Sequence, residues 1–116
     1  MTIKIIKTPI KRSELAEIAK EGFGDIVKAV ADVGQEIMAV GGELHADEEV
    51  VLSEQMNSKR ENTWGFNIYP EKFESEWIEF DSMVNLKPQF GNRSRNVESE
   101  ETREKIRKIV RKLIID

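Results

Sequence analysis

The clearest pattern in the chain is the alternation of apolar and polar positions over TWGFNIY, residues 63–69. Trp64, Phe66 and Ile68 fall on one side; Thr63, Gly65, Asn67 and Tyr69 fall on the other. A period of two marks a half-buried strand, and Pro70 ends it by removing a ladder donor. The same period returns in WIEFDSMVNLK, residues 77–87. Here Ile78, Phe80, Val84 and Leu86 are assigned to the core, and Trp77, Glu79, Asp81, Met83, Asn85 and Lys87 to the outer face. Only EKFESE and Pro70 lie between the two runs, so an antiparallel hairpin is predicted.

A period of 3.6 governs the last segment. Ile106, Ile109, Val110, Leu113 and Ile114 recur at i, i+3, i+4, i+7 and i+8, which requires one buried helix face. Ser99 is placed to cap that helix, with Glu100, Glu101 and Glu104 against its positive end. A shorter helix is predicted over residues 13–21, with Ser13 as N-cap and Leu15, Ile18 and Ala19 inward; Gly22 and Gly24 end it. Ahead of it, IKII (residues 3–6) reads as a strand. VKAVADV and EIMAV read as two more, turning at Gly34 and Gln35 in the type II′ manner. In ADEEVVLSEQM, residues 46–56, Asp47 as N-cap followed by Glu48 and Glu49 predicts a helix against the strand preference of Val50 and Val51. The resulting order is β-α-β-β-α-β-β-α. It implies an α+β two-layer sandwich: a mainly antiparallel sheet of about five strands with helices on one face, the first and last of them covering its apolar side.

Length changes this picture little, since 116 residues suit a single α+β domain spanning 1–116. Composition excludes more. With no cysteine there can be no disulfide, thiolate metal site or cysteine nucleophile, and a cytoplasmic location is expected. No apolar run approaches the roughly 18 residues of a membrane span, so no membrane association is expected. Charge is divided unevenly: residues 1–12 carry +4, 13–62 carry −8, 63–90 carry −3 and 91–116 carry +3. Basic ends and an acidic middle attract one another within the chain or between copies, and a homodimer is expected.

The phrases VKAVADV, GGELHADEE, WGFNIYP, IEFDSMVNL and GNRSR together resemble a family of short microbial hypothetical proteins classed as a domain of unknown function. The resemblance runs from about residue 3 to residue 114. It implies a compact single-domain protein, and it carries over no activity, no cofactor and no site residues.

Three groups of residues have candidate chemistry. In GNRSRN, a loop of Gly91, Asn92, Ser94 and Asn96 can turn its backbone N–H groups into a concavity, with Arg93 and Arg95 to grip a phosphate or carboxylate; Asn92, Arg93, Ser94 and Arg95 form the anion-site candidate. Against it stand Glu98, Glu100 and Glu101 at the following helix start, and acids enough elsewhere to pair both arginines. In GGELHADEE, the single histidine His45 with Asp47, and Asp81 from the next hairpin, forms a metal or general-base candidate; one histidine is few for zinc. The third is the polar face of the hairpin, with Asn67, Tyr69, Trp77, Glu79, Asp81, Asn85 and Lys87, whose acids make nucleic acid an unfavourable partner. The basic stripe of the last helix, Arg103, Arg107, Lys108, Arg111 and Lys112, is expected to be partly neutralised by Glu101 and Glu104 one turn before Lys105 and Lys108. The leading expectation is a small domain that binds an anionic ligand without a cofactor. The alternatives are a metal-assisted hydrolase and a purely structural homo-oligomeric subunit.

Overall fold

The computed structural model describes residues 2–116. Its elements are β1 (Lys4–Ile6), β2 (Ile10–Lys11), α1 (Arg12–Glu21), β3 (Val27–Asp32), β4 (Ile37–Val40), α2 (His45–Met56), β5 (Thr63–Ile68), β6 (Ile78–Glu79), α3 (Glu100–Leu113) and β7 (Ile114–Ile115). The expected α+β class holds. The sheet has five strands in the order β1-β4-β3-β5-β6, every neighbouring pair antiparallel. A separate two-residue ribbon pairs β2 with β7 in parallel, Ile10 opposite Ile114.

The predicted alternation sorts the sheet correctly at its centre. Val27, Ala29 and Ala31 of β3, Met38 and Val40 of β4 and Trp64, Phe66 and Ile68 of β5 form one apolar face. Leu15 and Ala19 of α1 and Ile106, Ile109, Val110 and Leu113 of α3 cover it. The opposite face has its own smaller cluster, in which Val30, Ile37 and Ala39 meet Leu52 of α2 and Val84. The helices therefore do not all share one face, as the two-layer reading expected. The second helix lies across the sheet from the other two, because β3 and β4 are apolar on both sides and need cover on both.

The hairpin is shorter than predicted. Strand β6 pairs with β5 only at Asn67–Glu79 and Ile68–Ile78. After Glu79 the chain turns at Phe80, where the Asp81 N–H donates to the Glu79 carbonyl at 3.2 Å. It then crosses onto the α2 side as an irregular strap with short helical turns at Met83–Asn85 and Pro88–Phe90. Four face assignments in residues 77–87 change with it. Trp77, Asn85 and Lys87, expected to face outward, are buried, and Val84 joins the cluster on the far face. Trp77 packs in the main core with the Arg12 guanidinium 4.8 Å above its ring. Arg12 also donates to the carbonyls of Pro70 and Lys72, pinning the hairpin's connection.

Asn85 shows why the strap exists. Its Oδ1 accepts from the Gly65 N–H at 2.8 Å and its Nδ2 donates to the Gly65 carbonyl at 2.9 Å. Both are edge groups of β5 that a longer β6 would have paired. A side-chain amide thus replaces two missing backbone hydrogen bonds. The approach is so close that a Cβ on Gly65 would lie 2.5 Å from Ser82 Oγ and 2.8 Å from Val84 Cγ2. Gly65→Ala is accordingly expected to cost about 1–3 kcal/mol through overpacking. Urea unfolding measures this, and an unchanged midpoint would contradict it.

Several local start and stop signals also moved. Helix α1 begins at Arg12, with Lys11 rather than Ser13 at its cap. Helix α2 begins at His45 with Leu44 as N-cap, so Asp47 lies in the first turn instead of capping. Four residues, 33–36, connect β3 to β4, and the left-handed position is Glu36 (φ 58°), not Gly34. Ser99 caps α3 as expected, its side chain accepting from the Thr102 N–H at 3.2 Å.

Candidate functional site

Where the strap passes over the end of α2 it leaves a cleft of about 250 Å³. The lining includes Ile26 and Lys28 from the start of β3, Leu44 and His45 from the start of α2, Asn67 from β5, and Asp81, Met83 and Arg95 from the strap. All three candidate groups thus meet here in part. His45 and Asp81 share the cleft with Arg95 and Asn67, whereas Asp47, Asn92, Arg93 and Ser94 do not line it. Lys28 was not singled out by the sequence. Its signal was the lone basic residue in the mostly apolar run VKAVADV.

His45 is the most constrained group. Its Nε2 lies 2.8 Å from the Phe66 carbonyl oxygen. A carbonyl can only accept, so Nε2 carries the proton and Nδ1 the lone pair. Burial pushes the imidazole below its ordinary value of 6.5; the Phe66 carbonyl opposes this, the nearby Lys28 ammonium adds to it, and Asn67 and Asp81 favour the charged form. The ring is therefore neutral at neutral pH. One turn along α2, Glu48 is wholly buried and its carboxyl is pushed up to about 9, chiefly by loss of solvation. It too is neutral. Lys28, half-buried between them, has no carboxylate within 4 Å among the described residues.

Asn67 supplies an unpaired, buried hydrogen-bonding position at the cleft wall. Its Nδ2 donates to Glu79 Oε1 at 3.0 Å and to the Asp81 carbonyl at 3.4 Å. Two acceptors on that side fix the amide orientation. Oδ1 then faces away from them, in a residue only 7% exposed; among the described residues no donor reaches it, and the Asn67 side chain lies near enough to the His45 ring to favour its charged form as a hydrogen-bond partner. The helix start contributes a further opening: Leu44 has no side chain able to cap, so the first N–H groups of α2 are uncapped at the cleft. At the rim Arg95 Nε donates to Asp81 Oδ1 at 2.7 Å; this is the only hydrogen bond of either side chain among the described residues. Leu44 and Met83, both largely exposed, form an apolar lip with Ile26.

The GNRSRN loop is closed upon itself. Buried Asn92 donates through Nδ2 to the carbonyls of Asn85, Ser94 and Asn96, and its Oδ1 accepts from the Glu98 N–H at 2.9 Å. The concavity expected for an external anion holds the Glu98 carboxylate, which accepts from the Arg93 N–H at 3.0 Å. Hydrogen bonds from Ser94 and from that N–H hold the Glu98 carboxyl below its ordinary value. Among the described residues no three His, Asp or Glu side chains gather as a metal set, and Asp47 sits exposed on the outer side of α2. The arginines of the α3 stripe are matched on their own helix: Arg103 and Arg107 pair with Glu100, Arg107 and Arg111 with Glu104, and Lys105 with Glu101, while Lys112 reaches Glu36 and Lys108 has no ion pair among the described residues.

A model of the family described as "Protein of unknown function (DUF5674)" matches residues 4–113. No curated protein and no solved structure matches the chain.

Proposed function

The chain belongs to this family of unknown function, DUF5674, and from that premise we propose that it binds a small anionic ligand in the His45–Asn67 cleft. The observation that carries the reading is the Lys28 ammonium at the cleft wall, which has no carboxylate within 4 Å among the described residues. The uncapped start of α2 beside it adds attraction for negative charge. Asn67 Oδ1, a buried acceptor without a donor, costs about 1–3 kcal/mol until a donor on the ligand reaches it. A volume of about 250 Å³ falls below the roughly 300–1,000 Å³ of sites for drug-sized molecules, so the ligand is small.

Titration followed by ¹H–¹⁵N spectra tests the reading, with a panel of simple, 2-hydroxy and 2-amino carboxylic acids and inorganic phosphate at millimolar concentration. The expected result is movement of the amides of Leu44, His45 and Ala46, and at least a roughly tenfold weaker response in Lys28→Ala, equivalent to about 1.4 kcal/mol. A panel that leaves those amides unmoved overturns it.

A further inference from the structure

The fixed charges lining the cleft are of both signs. With His45 and Glu48 neutral, the walls carry Lys28 and Arg95 as cations and Asp81 as the anion, alongside the unpartnered acceptor of Asn67. A plain anion uses only half of this lining. It leaves Asn67 Oδ1 unsatisfied, and a dianionic phosphate also meets the Asp81 carboxylate. A ligand that carries a cationic donor as well as an anion satisfies both halves. The third element is apolar, the lip of Ile26, Leu44 and Met83.

We propose that the ligand is a free α-amino acid with an apolar side chain, an assignment that rests on the cleft reading above. Its carboxylate is held by Lys28 and the first N–H groups of α2, with the terminal nitrogens of Arg95 as further donors. Its ammonium donates to Asn67 Oδ1 and to Asp81, whose Oδ2 has no partner while Oδ1 holds Arg95. Its side chain lies on Ile26, Leu44 and Met83. The small volume admits a single residue and excludes a nucleotide.

The test uses the full chain and five probes: L-leucine, isocaproate, isopentylamine, leucic acid and inorganic phosphate. They separate the carboxylate, the ammonium and the apolar segment. L-leucine is expected to shift the amides of Leu44, His45, Asn67 and Met83, with isocaproate and isopentylamine each at least roughly tenfold weaker. Asp81→Asn and Asn67→Ala are expected to weaken leucine by a similar factor while leaving isocaproate unchanged, a split that general damage to the fold would not produce. Asp81 is at the surface, so its variant keeps the test open even if Asn67→Ala fails to fold. Isocaproate, leucic acid or phosphate binding as tightly as leucine at the same amides would overturn the amino-acid assignment while leaving the cleft as the anion site. Silence from all five probes overturns both.

Discussion

Lys87→Met is expected to destabilise the protein by about 3–5 kcal/mol, the range for removing one partner of a buried ion pair. The Lys87 side chain is wholly buried, and its ammonium lies 3.2 Å from Glu49 Oε2 and 3.1 Å from Thr63 Oγ1. It also donates to the carbonyls of Arg60 and Thr63 and sits 5.0 Å from the Trp64 ring centroid. Burial pulls its pKa down, and Glu49 works against that pull. Methionine fills much of the space and satisfies none of these groups; it leaves the Glu49 carboxylate with only the Thr63 hydroxyl at 2.6 Å and the Arg60 guanidinium at 3.7 Å. For a chain of this length the loss corresponds to a fall in Tm on the order of 10–20 °C. A second variant separates charge from packing. Lys87→Met combined with Glu49→Leu removes both charges, and is expected to recover at least about half of the lost stability. If Lys87→Met alone moves the urea midpoint by less than about 1 kcal/mol, the strap is not held in this way.

The second large effect concerns pH. Glu48 has Oε2 accepting from the Gly42 N–H at 2.8 Å and Oε1 without a partner. Its carboxyl is raised from an ordinary 4.5 to about 9 in the folded chain. Between those values the folded state holds a proton that the unfolded state has released. Its contribution to stability therefore falls as pH rises through that window, with a limiting slope of about 1.4 kcal/mol per pH unit. Glu48→Gln keeps the shape and the acceptor for Gly42 and cannot titrate. Relative to the parent, the variant is expected to gain on the order of 3–4 kcal/mol between about pH 5 and about pH 8. Comparing the change across pH cancels whatever the new amide costs at either end. Parallel stability profiles for parent and variant would show that Glu48 is not held as the neutral acid. His45 works in the opposite sense. Its folded pKa is depressed, so its contribution is intact above about 6.5 and is lost as pH falls through that value.

The first prediction depends on a polar residue, Lys87, that the sequence placed on the outer face together with Asn85. Asn85 and Lys87 alternate with Val84 and Leu86, and a period of two states which residues share a side, not what that side meets. For TWGFNIY the inference succeeded because Trp64, Phe66 and Ile68 all belong to the main core. In the strap it failed because the polar positions are partners for another element: Asn85 for the open edge of Gly65, Lys87 for Glu49 and Thr63. The arginine loop likewise meets a partner of its own chain. A concavity for an anion was legible in GNRSRN, but its occupant is Glu98, five residues beyond Arg93.

What the sequence determined by itself was a set of local features: the α+β class, the central strands and their inward residues, the three helices, and the buried stripe and Ser99 cap of α3. Those depend on spacing along the chain, which sequence records directly. Only the tertiary structure decided which face α2 covers, where β6 stops, and that Lys28, His45, Asn67, Asp81 and Arg95 line one cleft. These residues come from four segments, β3, α2, β5 and the strap, and lie up to 67 positions apart. Their meeting follows from the strap crossing the sheet, where satisfying the exposed edge of β5 and pairing the buried ammonium of Lys87 outweighed continuing a regular strand.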